Sequence, residues 1–226
     1  MKKKLFLATS LVAMVLLNSC LTSLHNLVTY ISVVRDNRIT GSWQHDDMTM
    51  KIETVPTSSF LKKLTAAKVN GEEKKSAYDS KEDSLLYSRS YIIDFTKNNY
   101  RYYMACCLTR IGDDLYADME PLTAEPVNKT TDSDIDNLFN GGSYTTTHSI
   151  AKLIFRGSEL ELRILNGDFI KERLNNGTAA VRYEKDDLFA TTLITASSGE
   201  LRQFLTKYGN DERLYSSKNT LTLKKI

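Results

Sequence analysis

The chain has few of the residues from which many active sites and metal centres are built. Three cysteines and three histidines occur among 226 residues, and none of them forms a CxxC pair or a cysteine–histidine cluster with the spacing of metal ligands. A Walker loop, a GxSxG elbow, an HExxH helix and a GxGxxG turn are also missing. We therefore expect no metal, no cofactor and no enzymatic activity, and a hydrolase is the weakest of the alternatives considered below.

A charge excess of one sign is also lacking. The chain has 30 basic and 28 acidic residues, and three of the lysines stand together at positions 2–4. Without those three the remaining chain is close to neutral, with its charges interspersed. Because nucleic-acid-binding proteins usually carry a basic patch or stripe, we expect no nucleic-acid partner.

A long uncharged apolar run occurs only near the start of the chain, from Leu5 to Leu17. It follows the lysines at positions 2–4. The run is shorter than the roughly 20 residues that a membrane-spanning helix requires. It has the length of the apolar region of a secretory signal, about 7–15 residues. The first twenty residues therefore predict export from the cytoplasm.

The end of this run resembles the lipobox of bacterial lipoproteins. Leu17, Ser19 and Cys20 match the aliphatic, small and cysteine positions of that signal, and Asn18 is a less usual residue between them. The resemblance implies that residues 1–19 are removed and that Cys20 is the lipidation site. The alternative is an ordinary secretory signal that happens to contain a cysteine.

Lipidation at Cys20 would fix the location of the protein. Each buried CH₂ of an acyl chain adds about 0.8 kcal/mol of membrane affinity, so three chains hold a protein firmly on a bilayer. The lipoprotein resemblance also implies an outer-membrane destination in a Gram-negative cell envelope, because Leu21 stands where inner-membrane retention usually needs Asp. The periplasmic and surface faces of that membrane both remain open.

The rest of the chain predicts a mainly β domain with antiparallel meanders and three or four short helices. Apolar and polar residues alternate through Tyr91–Phe95, Tyr100–Leu108 and Leu115–Met119, with turn residues between these stretches. A helix is predicted near Ser58 or Ser59, a second begins at Asp168, and Ser197-x-x-Glu200 is the signature of a capped third helix.

Gly41-x-Trp43 stands near the start of this β domain. The pair resembles the GxW signature of lipocalins and lipocalin-like bacterial lipoproteins, in which the tryptophan plugs the closed end of a barrel and the glycine lets the backbone pass close by. This resemblance implies a barrel or half-barrel. The alternative is a core tryptophan of some other β protein, and both interpretations make Trp43 structural.

Two segments follow residues 1–19 in the predicted domain organisation. Residues 20–38 form a membrane-proximal segment in which Leu24, Leu27, Val28 and Ile31 have helical spacing. Residues 39–226 form the β-rich domain. Within it, residues 121–142 contain two prolines and a Gly-Gly pair, which allows a split into two lobes. A polar loop is expected at residues 72–83.

A few side chains are candidates for a site. Cys106 and Cys107 are adjacent, so we expect two free thiols, with Cys106 packed among apolar residues and Cys107 on the more polar face. His148 stands at the entry to a strand and is the histidine with the best claim to a function, although a structural role is the more frequent one. Asp132, Asp134 and Asp136 have the spacing of calcium ligands. The following residues lack the glycine and glutamate of that loop, so no metal is expected.

Two functions remain after these exclusions. The first is a lipid-anchored binding protein whose barrel holds a small apolar or amphipathic ligand, with the ligand-binding residues unknown. The second is an envelope interaction or assembly component without a small-molecule pocket. Its partner would be another envelope protein, and it would use loops such as residues 72–83. A hydrolase would require His148 to converge with an acidic pair in a cleft.

Overall fold

The protein is described by a computed structural model that covers residues 22–66, 80–97, 99–127, 147–178, 181–186 and 191–226. Cys20, the aspartates at 132–136 and most of the residue 72–83 segment lie outside these ranges. Twelve strands are present in the described part: β1 Thr22–Ser23, β2 Val33–Val34, β3 Gly41–His45, β4 Met48–Thr54, β5 Tyr91–Lys97, β6 Tyr100–Ile111, β7 Asp114–Pro126, β8 Ser149–Arg156, β9 Glu159–Leu165, β10 Tyr183–Asp186, β11 Thr191–Ile194 and β12 Tyr215–Lys225.

Eight of these strands form a closed antiparallel barrel, as the barrel alternative of the predicted fold class requires. The strand order is β6-β5-β4-β3-β12-β9-β8-β7, and pairing of β7 with β6 closes it. Neighbours in the barrel are neighbours in sequence except at β9–β12 and at β12–β3. The strands before and after residues 121–142 therefore lie in the same barrel.

The barrel interior is built by alternation along the strands, because successive side chains point to opposite faces. Irregularities interrupt the pairing of β6 with β7 and of β12 with β9. Inward positions are apolar and form one buried cluster with Ile39, which precedes β3. Its buried strand members are Trp43, Met48, Met50, Ile52, Tyr91, Ile93, Cys106, Leu108, Leu115, Ala117, Met119, Ala151, Leu153, Leu160, Leu162 and Leu223. The predicted packing of Cys106 as a small apolar residue is confirmed.

Within the described ranges, four α-helices lie outside the barrel: α1 Ser59–Ala66, α2 Lys81–Arg89, α3 Gly167–Asn175 and α4 Ser198–Tyr208. The last two pack their apolar sides on the outer wall around Tyr116 and Ile150. Phe60 of α1 stacks on Tyr103 of β6, with ring centroids 4.0 Å apart. The capping box predicted at Ser197 and Glu200 is present at the start of α4.

The N-terminal segment differs from the helix that its apolar spacing predicts. Between Thr22 and Val34 the chain forms two short strands joined by turns. Strand β1 pairs with β11, and β2 pairs with β6. Leu27, Val28 and Val33 are buried against the barrel wall. The apolar spacing of this segment therefore reflects burial of an irregular segment rather than one face of a helix.

Candidate functional site

The two ends of the barrel are closed to different degrees. We call the end at which β3 begins and β12 ends the Trp43 end. The opposite end, which carries the β3–β4 and β5–β6 turns, is the distal end. The candidate site is the apolar lining of the distal end, and it is best understood by contrast with the Trp43 end.

At the Trp43 end, the interior is sealed by contacts around the single tryptophan. Trp43 is 2% exposed, and its indole Nε1 donates a hydrogen bond to the carbonyl of Ile39 at 2.8 Å. The ammonium group of Lys225 lies 5.2 Å from the centroid of the Trp43 ring, within the range of a cation–π contact. Gly41 has φ of 127°, and a Cβ there would lie 3.0 Å from Cε of Lys225. Both residues of the GxW pair thus serve to close this end.

The same end is covered further by Arg38. Its guanidinium carbon lies 4.4 Å from the centroid of the Phe155 ring, and its nitrogen is 2.6 Å from the carboxylate of Asp36. The carboxylate fixes the guanidinium, and the pair lowers the pKa of Asp36, chiefly through the hydrogen bond from Arg38. Phe155 is therefore half-buried beneath a cation that is itself held in place.

Toward the distal end, five inward-pointing apolar side chains are only half-buried, although Met48 beside the β3–β4 turn is buried. They are Phe95, Tyr102, Met104, Ile164 and Leu221. The rings of Phe95 and Tyr102 stack with their centroids 4.9 Å apart. Since half-buried apolar side chains retain contact with solvent, an apolar molecule that covered them would gain roughly 25 cal/mol for each Å² removed from water.

Methionine is concentrated in the barrel interior. All four methionines beyond the leader, Met48, Met50, Met104 and Met119, belong to the barrel cluster. Met50 stands opposite Trp43 on one side and Phe95 on the other. Unbranched methionine side chains adapt their shape more readily than Leu or Ile, which suits them to lining a site that changes shape on binding.

Three depressions lie on the outer wall of the described barrel, with volumes of about 220, 400 and 540 Å³. The 400 Å³ depression contains Arg163, which is bound on one side by Glu161 at 2.6 Å and on the other by Glu212 at 2.7 Å. Most of the residues that line each depression are polar or charged. They are therefore unsuited to an apolar ligand, and the distal end is the stronger candidate.

His148 meets one carboxylate, that of Asp118, on the outer wall. Nδ1 of His148 lies 2.8 Å from Oδ1 of Asp118, and an ionised carboxylate only accepts, so the ring donates. The other carboxylate oxygen accepts from the backbone amides of Leu27 at 2.6 Å and Val28 at 3.2 Å. The hydrogen bond with Asp118 raises the pKa of His148, and partial burial opposes it. We call these four residues the Asp118 clamp.

The Asp118 clamp joins the N-terminal segment to strands β7 and β8. The sequence alone does not single out Asp118, because it stands thirty positions before His148 and no local motif connects them. In the adjacent acidic pair Asp113–Asp114, at the β6–β7 turn, Asp114 binds Lys152 at 2.7 Å rather than His148. The described contacts of His148 are those of a residue that holds two parts of the fold together.

The two adjacent cysteines are free thiols, as expected. Burial raises the pKa of Cys106 well above its usual value, which keeps this thiol neutral and unreactive. Cys107 is half-buried on the outer wall, 3.0 Å from the hydroxyl of Ser90, and burial also raises its pKa. Neither thiol has the electropositive surroundings of a nucleophilic cysteine.

Comparisons with known proteins add no assignment: no family model matches the chain, and no curated protein or solved structure is significantly similar to it. Within the described ranges, histidine, cysteine, aspartate and glutamate nowhere gather in a group of three able to hold a metal. No helix in those ranges is long and apolar enough to cross a membrane. The function is therefore inferred from the geometry of the barrel.

Proposed function

We propose that this protein is a lipid-anchored binding protein of the cell envelope, and that its barrel takes a small apolar or amphipathic molecule at the distal end. The anchor rests on the lipobox resemblance at Leu17–Cys20, and Leu21 after the cysteine favours the outer membrane. No catalytic group is assigned. The ligand-binding residues proposed are Phe95, Tyr102, Met104, Ile164 and Leu221.

The contrast between the barrel ends carries this proposal. Ile39, Trp43 and Lys225 seal one end, whereas the other end exposes part of an apolar lining. A barrel that served only as a rigid scaffold would gain stability from burial at both ends. The half-buried lining at one end is instead what a site for an apolar group requires.

The depth of the site follows from the packing. Buried side chains fill the barrel up to the distal lining, since Ile93 and Leu162 stand directly opposite Met104 and Leu221. A ligand therefore enters only the distal part, and it makes room by moving the methionine side chains there. The tail of an amphipathic molecule fits this geometry, with its polar group left at the rim of the barrel.

The binding test starts with the domain expressed without residues 1–20. Native mass spectrometry followed by solvent extraction is expected to reveal a co-purified apolar molecule, and its mass defines a ligand class. The variant Met104→Ser should weaken binding of that molecule several-fold. Ile154→Ser is the matched control, because Ile154 is also half-buried but alternates outward, between the inward residues Leu153 and Phe155. Equal weakening in both variants would contradict the assignment.

A second candidate function is an envelope interaction component without a small-molecule pocket. It is favoured by the filled interior near Trp43 and by the side chain of Ile31, which is 80% exposed on a turn of the N-terminal segment. This alternative predicts a crosslinked partner in cells from a photoreactive residue at position 31. It also predicts an empty barrel in the extraction experiment.

A further inference from the structure

The N-terminal segment is fastened to the barrel from its first described residue onward. Thr22 and Ser23 pair with Leu193 and Ile194 of β11. The backbone of Ser23 also exchanges two hydrogen bonds with His148, at 2.9 and 2.7 Å. Residues 22 and 23, which are β1, thus join the barrel at His148 to β11 of the small sheet formed by β1, β11 and β10.

The remainder of the segment is held equally well. The Asp118 clamp binds the amides of Leu27 and Val28, and the hydroxyl of Thr109 donates to the carbonyl of Ser32 at 2.9 Å. The guanidinium of Arg89 donates to the carbonyl of Val33 at 3.0 Å. A buried carboxylate with several hydrogen-bond partners is costly to disrupt, so the segment stays on the barrel.

The covalent distance from the proposed anchor to this fastened segment is very short. One residue, Leu21, separates Cys20 from Thr22. Consecutive Cα atoms are 3.80 Å apart, so the Cα atoms of Cys20 and Thr22 are at most about 8 Å apart in any conformation. An acylated Cys20 lies at the bilayer surface, and Thr22 therefore lies within about 8 Å of that level.

We infer that the small sheet β1–β11–β10 forms the face of the protein that lies against the bilayer, and that the barrel is held there without a spacer. The inference rests on the lipid anchor of the proposed function and extends it by assigning an orientation. The partner surface is the headgroup layer of the membrane that holds the acyl chains.

Charge does not drive this contact. Arg182, just before β10, is paired with Glu200 at 2.8 Å, and the sequence of β10 contributes Glu184, Lys185 and Asp186, which leave it with an excess of negative charge. Such a face has no attraction for anionic lipid. The anchor therefore supplies the affinity, and the short connection supplies the orientation. The domain without residues 1–20 should not bind vesicles, whether zwitterionic or anionic.

The orientation can be measured on the acylated full chain in nanodiscs whose lipids carry a nitroxide on the headgroup. A fluorophore is attached through Glu184→Cys on the small sheet or, as the matched control, through Ser158→Cys in the exposed β8–β9 turn. The β8 strand of eight residues separates that turn from His148, a length of about 26 Å at 3.3 Å per residue. Quenching is expected to be several-fold stronger at position 184 than at position 158.

A linker variant tests the reason for the orientation. Insertion of about 12 Gly/Ser residues between Leu21 and Thr22 adds a mean reach of about 20 Å. Quenching at position 184 should then fall to the level at position 158. Equal quenching at the two positions without the linker, or unchanged quenching at position 184 with it, would overturn the inference.

The mass of the same sample separates this inference from the proposed anchor. If Cys20 carries its acyl chains and position 184 is not preferentially quenched, the orientation is wrong and the anchor stands. If Cys20 carries none, the anchor is wrong and the orientation falls with it. The ligand experiment is independent of both outcomes, because it uses the domain without residues 1–20.

Discussion

The two ends of the barrel are made from the same alternating strands, and yet one is closed to solvent more completely than the other. At one end, Trp43 is fully enclosed, with a backbone carbonyl on its indole nitrogen and the ammonium of Lys225 above its ring. At the other end, Phe95 and Met104 are only half-buried. Alternation alone builds an apolar interior, but what caps each end decides whether that interior is reachable from solvent.

The largest expected effect comes from removing the cap of the sealed end. Trp43→Ala should lower the free energy of unfolding by about 3–5 kcal/mol, since a large buried aromatic side chain is lost. Phe95→Ala at the distal end should cost clearly less, because its ring is already partly in solvent. Chemical denaturation of the two variants compares the ends directly. Equal losses would mean that both ends are sealed to the same degree.

The next effect concerns the glycine beside Trp43. Gly41→Ala should destabilise the protein by about 1–3 kcal/mol, because a non-glycine residue is strained at φ of 127° and its Cβ would push Lys225 off the indole. Gly112→Ala in the β6–β7 turn is the matched control, with φ of 60° and open space around the added atom. Denaturation and the emission maximum of Trp43 check this prediction. An unchanged emission maximum in Gly41→Ala would refute the role assigned to Lys225.

Replacing Met104 should affect stability less than the changes above, and it should alter the range of ligands that bind. Met104→Leu nearly conserves volume and should cost less than about 1.5 kcal/mol. It should nevertheless narrow the range of ligand chain lengths that bind, because leucine is less adaptable than methionine. Leu153→Met near the Trp43 end is the reciprocal control and should leave that range unchanged. Affinities across a series of fatty acids of increasing length measure both.

The smallest effect is the pH dependence of the Asp118 clamp, which belongs to neither end. The hydrogen bond with Asp118 raises the pKa of His148 above its unfolded value of about 6.5, so the protonated ring is favoured in the folded chain. Its contribution is complete below the unfolded pKa and disappears as the pH rises through the folded pKa. The stability difference between wild type and His148→Asn should therefore shrink as the pH rises through this window.

The control for this pH dependence is His45→Asn, in the strand that leads to the distal turn. His148→Asn should also leave ligand affinity unchanged, since His148 lies on the outer wall. A stability difference that grew with rising pH would contradict the expected sign of the effect. A loss of ligand binding in His148→Asn would contradict the assignment of the binding site to the distal end.

Local patterns in the sequence predict much of this fold. Alternation over Tyr91–Met119 anticipates three adjacent barrel strands, and Ser197 with Glu200 anticipates the cap of α4, because both signals act between near neighbours. Trp43 is buried in the barrel, as its expected structural role requires. The signals that failed are those that depend on distant partners.

The N-terminal segment illustrates such a failure. Its apolar residues have helical spacing. Asp118 and strands β6 and β11 nevertheless hydrogen-bond to its backbone, and these tertiary contacts stabilise an irregular conformation in place of a helix. Helix α2 escapes prediction because its apolar pattern is weak. Closure of β12 on β3 joins the two ends of the domain, so no local window of sequence could indicate it.

The distal end is likewise beyond sequence reasoning. Half-burial of Phe95 and Met104 depends on which strand ends meet at one side of the barrel. No local pattern in the sequence indicates that arrangement. Lipidation at Cys20 follows from the sequence alone and stays a prediction. An intact mass of the protein purified from membranes tests it.

Methionine methyl NMR can detect binding of an apolar molecule at the distal end of the barrel. The domain carrying ¹³C-methyl methionine contains four probes, Met48, Met50, Met104 and Met119, all in the barrel. On titration with dodecanoate or the solvent extract, we expect saturable shifts, largest for Met104, while the emission of Trp43 at the sealed end stays constant. Unchanged methyl signals at saturating ligand would contradict binding at the distal end. Shifts that are no larger for Met104 than for the other three methionines would contradict it as well.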